Sequence, residues 1–297
     1  MEKGKILRML DEKGLLVCDG ATGSNLLARG LPQGSAPEAW VLSRPDEIVR
    51  LHHDFIEAGA EIILTCTFGG TRVRLAVDNL QDEVTQINQQ AVRLAREAAG
   101  DTDVLVFGSI GPLGRLLAPL GDLSPEEAAS AYGEQAKILS DNGVDLLLIE
   151  TQYDLAEARI AIEAVNANSD LPVICSFSYD RGKRTMMGVK PGQMAMAMMP
   201  YDLLALGINC GKSIDENLLA LRELRAATSL PIWFKPNAGF PTLDEAGQAS
   251  YATEVEAMAA HVPEWVAAGA RFIGGCCGTT PAHLKAMADT IHELTHQ

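Results

Sequence analysis

No stretch of this 297-residue chain approaches the roughly 18 to 20 consecutive apolar residues that span a bilayer. Its first residues carry Lys3, Lys5, Arg8 and Lys13 among acidic neighbours and lead into no long apolar run of the signal-peptide kind. The expectation is a cytoplasmic protein, neither secreted nor inserted in a membrane. Positive charge is also scarce: 24 Lys and Arg face 39 Asp and Glu, for a formal net charge of −15. That balance argues against the broad basic surface by which proteins hold nucleic acid or anionic membranes, and for small-molecule or protein partners. Low-complexity tracts and Pro- or Ser-rich linkers are missing too, so residues 1–297 read as one domain.

What is present is a repeat of short Val-, Ile- and Leu-rich runs, apolar enough to be buried on both faces, separated by longer amphipathic segments. The runs are Leu15–Ala21, Glu61–Phe68, Val104–Gly111, Asp145–Thr151, Pro172–Tyr179, Leu203–Cys210, Pro231–Ala238 and Arg271–Cys277. Eight strand-and-helix units predict an α/β fold, a single (β/α)8 TIM barrel. An open doubly wound sheet is the alternative. The first strand-to-helix turn, Asp19-Gly-Ala-Thr-Gly-Ser24, lacks the G-x-G-x-x-G spacing of a dinucleotide fold. Helices are expected over Arg44–Ala58, after Ser124-Pro125-Glu126-Glu127 and after Thr280-Pro281. Gly59, Gly143 and Gly269, each between a helical pattern and a strand, suit left-handed C-caps.

In such a barrel the C-terminal ends of the strands share one face. Those ends are rich in polar chemistry: Asp19, Thr65, Ser109, Glu150, Ser176, Asn209, Asn237, and three of the six cysteines, Cys210, Cys276 and Cys277. The glycines of Gly274-Gly-Cys-Cys-Gly278 allow two adjacent thiolates to face one ion, which a regular strand would point to opposite sides. Three thiolates with one open position are the arrangement of a catalytic zinc. Buried thiols beside a glycine-rich turn, or a vicinal disulfide, are the alternatives. Cys18, Cys66 and Cys175 lie within strands and read as core, as do Met194, Met196, Met198 and Met199 in a helix.

Glu150 closes the run Leu146-Leu-Leu-Ile-Glu150, where a buried carboxylate needs a partner: a ligand ammonium or a neighbouring barrel cation. Asp19 has the same two readings, with simple turn capping as a third. The turn from Gly20 to Ser24 offers backbone N–H groups to a carboxylate. A cation partner, an anion-binding turn and a thiophilic metal together describe a pocket for an amino acid bearing a thiol.

These residues carry a likeness to a known family. From about Leu15 to Met287 the chain resembles the zinc-dependent homocysteine S-methyltransferases, through Asp19-Gly-Ala-Thr-Gly23, Thr65-Cys-Thr-Phe68, Gly108-Ser-Ile-Gly-Pro112, Glu150-Thr151, Gly207-Ile-Asn-Cys210, Pro236-Asn-Ala-Gly239 and Gly274-Gly-Cys-Cys-Gly-Thr-Thr-Pro281. The resemblance implies zinc held by Cys210, Cys276 and Cys277. It also implies that Glu150 and Asp19 lie near the homocysteine amino group, with Gly20 and Thr65 helping to place the amino acid. Asn237 is implied as a weak, displaceable zinc ligand.

Ser43-Arg-Pro-Asp-Glu47 and Thr65-Cys-Thr-Phe-Gly-Gly-Thr71 are most similar to the homocysteine-binding part of cobalamin-dependent methionine synthase. That likeness implies a methylcorrinoid as donor, carried on a separate protein because folate and cobalamin modules are not in this sequence. Cys66 stands where that branch often has Asn, which removes a polar contact. The alternatives are S-methylmethionine or another sulfonium as donor, another small thiol as acceptor, and a thiol-binding module without turnover.

Overall fold

In the computed structural model, residues 2–239, 241–243 and 249–295 are described. Eight parallel strands form one sheet: β1 (Leu16–Val17), β2 (Ile62–Leu64), β3 (Leu105–Ile110), β4 (Leu146–Gln152), β5 (Val173–Phe177), β6 (Ala205–Cys210), β7 (Ile232–Pro236) and, after a small antiparallel hairpin of β8 (Pro241–Leu243) and β9 (Ala249–Tyr251), β10 (Ala270–Ile273). The order β1-β10-β7-β6-β5-β4-β3-β2 runs round a cylinder, and a parallel bridge between Cys18 and Ile62 joins its two ends. The chain is a (β/α)8 barrel, as the eight runs predict.

Each expected run coincides with a strand; most ladders are shorter, but β4 runs one residue past Thr151 to Gln152 and β10 begins one residue before Arg271. The strand expected over Arg271–Cys277 stops at Ile273, where Gly274 and Gly275 leave the ladder. The helix expected over Arg44–Ala58 spans Pro45–Glu57, and the Ser124 hydroxyl caps its helix by accepting from Glu127 N–H at 3.1 Å. Gly59, Gly143 and Gly269 have φ of 102°, 90° and 102°, the left-handed caps expected of them.

The barrel interior is layered. Leu16, Cys18, Ile62, Leu64, Leu105, Phe107, Leu146, Leu148, Ile174, Trp233 and Phe272 fill its lower part, and Ile6 and Leu10 of the N-terminal helix (Glu2–Lys13) pack against that cluster. Trp233 lies 6.0 Å from Phe107 and 5.8 Å from Phe272, ring centre to ring centre. Because side chains alternate along a strand, the next inward position on β3, β4, β5 and β7 falls to Ser109, Glu150, Ser176 and Lys235. An apolar floor therefore gives way to a polar layer at the C-terminal mouth. Cys18, Cys66 and Cys175 are buried; of the methionines, Met194 and Met198 enter the core, while Met196 and Met199 are exposed, because the helix Pro191–Met198 turns only one face inward. No helix among the described residues is long and apolar enough to cross a membrane.

Candidate active site and metal centre

The mouth opens on a cavity of about 460 Å³, lined by the turn from Gly20 to Ser24, by Thr65, Cys66, Glu150 and Lys235, and by all three candidate ligands. The sulfur atoms of Cys210, Cys276 and Cys277 lie within 4.8 Å of one another. Tetrahedral zinc with bonds of about 2.3 Å sets its sulfurs roughly 3.8 Å apart, so a small contraction seats an ion.

Three loops are sewn together to make this cluster. Cys210 ends β6 in a left-handed conformation, φ 60°, and Asn217 Nδ2 holds its carbonyl at 2.5 Å. Cys276 N–H donates to Pro236 O at 2.8 Å, and Ala238 N–H donates to Cys277 O at 2.9 Å. The Thr279 hydroxyl donates to Cys276 O at 2.6 Å and accepts from Ala21 N–H at 3.1 Å, which ties the cysteine loop to the glycine-rich turn. Gly278, at φ 81°, lies under the Tyr251 ring so closely that a side chain there would collide with it.

The bare cluster holds its protons. At Cys210 the hydrogen bond with Cys276 favours the thiolate, but the bond to Cys277, burial and the neighbouring charge outweigh it and push the thiol up to about 12. Cys277 is likewise pushed up to about 12, its bond with Cys210 favouring the thiolate and its bond with Cys276, that neighbour's charge and burial opposing it. Cys276 is raised, first by its hydrogen bond with Cys210. Three half-buried thiols that resist ionisation side by side are a set that a soft cation would hold as thiolates. Asn237 adds a second sign of fit: its Nδ2 donates to Gly211 O at 2.7 Å, its side chain lies against Cys210, and its Oδ1 is buried without a hydrogen-bond partner. An amide oxygen with no partner, on a side chain that lies against Cys210, suits a weak fourth ligand.

On the opposite wall β4 is bulged between Ile149 and Gln152, and Thr151 has φ 60°, an outlier for a β-branched residue. Bulges of this kind re-aim side chains beside active sites. Here Glu150 reaches the cavity, with Oε1 accepting from the Ser109 hydroxyl at 2.5 Å and Oε2 from Asn209 Nδ2 at 3.3 Å. Burial raises its pKa. Thr65 Oγ1 accepts from Ser109 N–H at 3.1 Å and pairs with the Thr67 hydroxyl at 2.7 Å; because Thr67 donates to Ser109 O at 2.7 Å, Thr65 is the donor to Thr67 and keeps one free acceptor site.

Asp19 has a different environment. Its carboxylate is 1% exposed, Oδ2 accepts from Leu64 N–H at 2.8 Å, and Oδ1 pairs with Lys235 Nζ at 2.5 Å. Of the readings open for Asp19, the structure realises the internal salt bridge. Lys235, which lines the cavity, is a site residue not expected from the sequence. Its only signal is a lysine in the apolar strand Ile232-Trp-Phe-Lys235, where a cation needs a buried anion.

A family model described as "Homocysteine S-methyltransferase" matches residues 16–291. The chain belongs to the homocysteine S-methyltransferase family. Within it, the methionine synthase of Mycobacterium tuberculosis is 30% identical over 311 residues, covering 97% of this chain and 25% of that protein. The Mycobacterium leprae methionine synthase is 30% identical over 299 residues, covering 93% and 24%. The chain thus spans about a quarter of the length of these relatives. A solved structure, the metallated form of the homocysteine methyltransferase MmuM from Escherichia coli, superposes with a TM-score of 0.81 at 29% identity, covering 95% of this chain and 98% of that one.

Proposed function

We propose that the protein is a zinc-dependent methyltransferase that converts homocysteine to methionine by methylating its thiol. The observation that carries this reading is the cluster of three sulfurs within 4.8 Å, set across one cavity from a buried carboxylate. Cys210, Cys276 and Cys277 would hold the zinc, with Asn237 as the displaceable fourth ligand. When bound, zinc stabilises the substrate sulfur as a thiolate, the nucleophilic form, without redox chemistry.

The chain's own residues bind and orient. Glu150 accepts the homocysteine ammonium, aimed by Ser109 and Asn209, and the free acceptor site of Thr65 takes a second ammonium proton. The carboxylate meets the turn that begins at Gly20. There Thr22, Gly23 and Ser24 line the cavity and open the helix Gly23–Ala28, whose first N–H groups have no partner within the helix. Ala21 N–H is taken by Thr279 and is not part of that cradle. With its ammonium and carboxylate both held, the α-carbon end of the substrate is fixed and its side chain directs the sulfur at the cysteines. The sulfur lone pair then attacks the methyl carbon in line, and the carbon's bond to the donor breaks with its electron pair leaving on the donor. Orientation of this kind is worth several orders of magnitude in rate.

The donor we favour is a methylcorrinoid carried by a separate protein, a reading supported by the likeness to the methionine synthases. A sulfonium such as S-methylmethionine is the second reading, favoured because the homocysteine methyltransferase MmuM matches this chain over 98% of its solved structure, which leaves little of that structure for a donor-carrying module. The test is to supply zinc-loaded protein and homocysteine with each donor in turn and follow methionine. Methionine formed with one donor supports the reading, and none from any donor overturns it.

A further inference from the structure

Among the described residues, the strand-end layer at the mouth holds two carboxylates, Asp19 and Glu150, and one cation, Lys235, while Glu38, Arg74 and Asp78 line the same cavity from the connections around β2. The Asp19 carboxylate is filled from within the protein by Leu64 N–H and by Lys235, which is 2% exposed and also sits 5.5 Å from the Trp233 ring centre. Glu150 makes no salt bridge among the described residues; its two contacts come from a hydroxyl and an amide, both neutral. Glu150 lines the cavity and Asp19 does not. The Asp19–Lys235 pair is neutral as a unit, whereas Glu150 feels the Lys235 charge without an ion-pair contact and is a desolvated carboxylate with no cation of its own.

We infer that Glu150 supplies the strand-end carboxylate that meets the ammonium group of the acceptor, and that Lys235 withholds the other one, Asp19, from the substrate. Lys235 is on this account a positioning residue that cancels the charge of Asp19 and leaves Glu150 as the strand-end carboxylate open to an ammonium group, so the site selects a small thiol bearing an amino group. The inference rests on the proposed function for the identity of the site, but it concerns thiol binding and does not require turnover.

The experiment measures, by calorimetry on zinc-loaded protein, the binding of homocysteine and of 4-sulfanylbutanoate, the same molecule without its amino group. The ratio of the two affinities is the readout, because a general loosening of the pocket lowers both. Wild-type protein should prefer homocysteine, and Glu150→Gln should reduce that preference about 10²-fold, as removing one partner of a buried charge pair does. The double variant Asp19→Asn/Lys235→Met, which removes the pair as a unit, should keep the wild-type ratio within about threefold, since a buried ion pair replaced whole is often tolerated. Asp19→Asn/Lys235→Gln, with both side chains still polar, serves if the first fails to fold. A ratio that collapses in a folded double variant as it does in Glu150→Gln, or a wild-type protein with no preference, overturns the inference. Selective binding of homocysteine without methyl transfer from any donor leaves it standing and defeats the proposed function instead.

Discussion

At the scale of single residues, the cysteine cluster has a thermodynamic signature. Cys210 and Cys277 are pushed up to about 12 and Cys276 is raised, so the metal-free protein keeps all three protonated at neutral pH. Zinc takes thiolates, so loading must release protons, and affinity must rise as pH rises toward the thiol range. Titrating zinc in buffers of different ionisation enthalpy should therefore show proton release, with tighter binding at pH 8 than at pH 6 (about those values). Replacing any one cysteine by serine should lower zinc content from about one per chain and abolish methyl transfer with it. Gly278 is a second residue-scale case: Gly278→Ala adds a side chain at φ 81° under Tyr251 and should destabilise the fold by at least about 1–2 kcal/mol, read from chemical denaturation.

Among the elements, the helix Pro45–Glu57 carries a fully buried histidine, His52, whose pKa burial lowers to about 4. Its unfolded value is near 6.5, so the unfolded chain binds the proton first. The stability this neutral side chain contributes is present above about pH 6.5 and is lost as pH falls from there toward about 4, at up to about 1.4 kcal/mol per pH unit. The difference in unfolding free energy between wild type and His52→Leu should shift in favour of the variant across that window. Elements were also the most legible part of the sequence. The strands could be read because a sheet covered on both faces leaves runs such as Leu146-Leu-Leu-Ile149, and the helix starts because Ser124 and Pro125 mark a cap chemically. Their ends were less legible: the expected last strand ran on to Cys277, since nothing local told that Gly274 and Gly275 would leave the ladder.

For the whole molecule, the barrel brings together residues that the sequence keeps far apart. Cys210 and Cys276-Cys277 could be read as a site because all three thiols fall at strand ends, which share one face of the barrel, two of them within a glycine-rich turn. The salt bridge between Asp19 and Lys235 could not, because its partners are 216 residues apart and only closure of the sheet makes them neighbours. The orphaned amide oxygen of Asn237 was invisible for the same reason. A site assembled from separated strand ends should behave as a unit with its metal. Homocysteine should raise the melting temperature of zinc-loaded protein in proportion to the logarithm of its concentration, and leave the metal-free protein unchanged. The central claim, that the substrate sulfur binds a zinc held by three protein sulfurs, is tested most directly by zinc-edge X-ray absorption before and after adding homocysteine. The account predicts three sulfurs and one lighter ligand before, and four sulfurs at about 2.3 Å after; a sulfur count that does not change on adding homocysteine would contradict it.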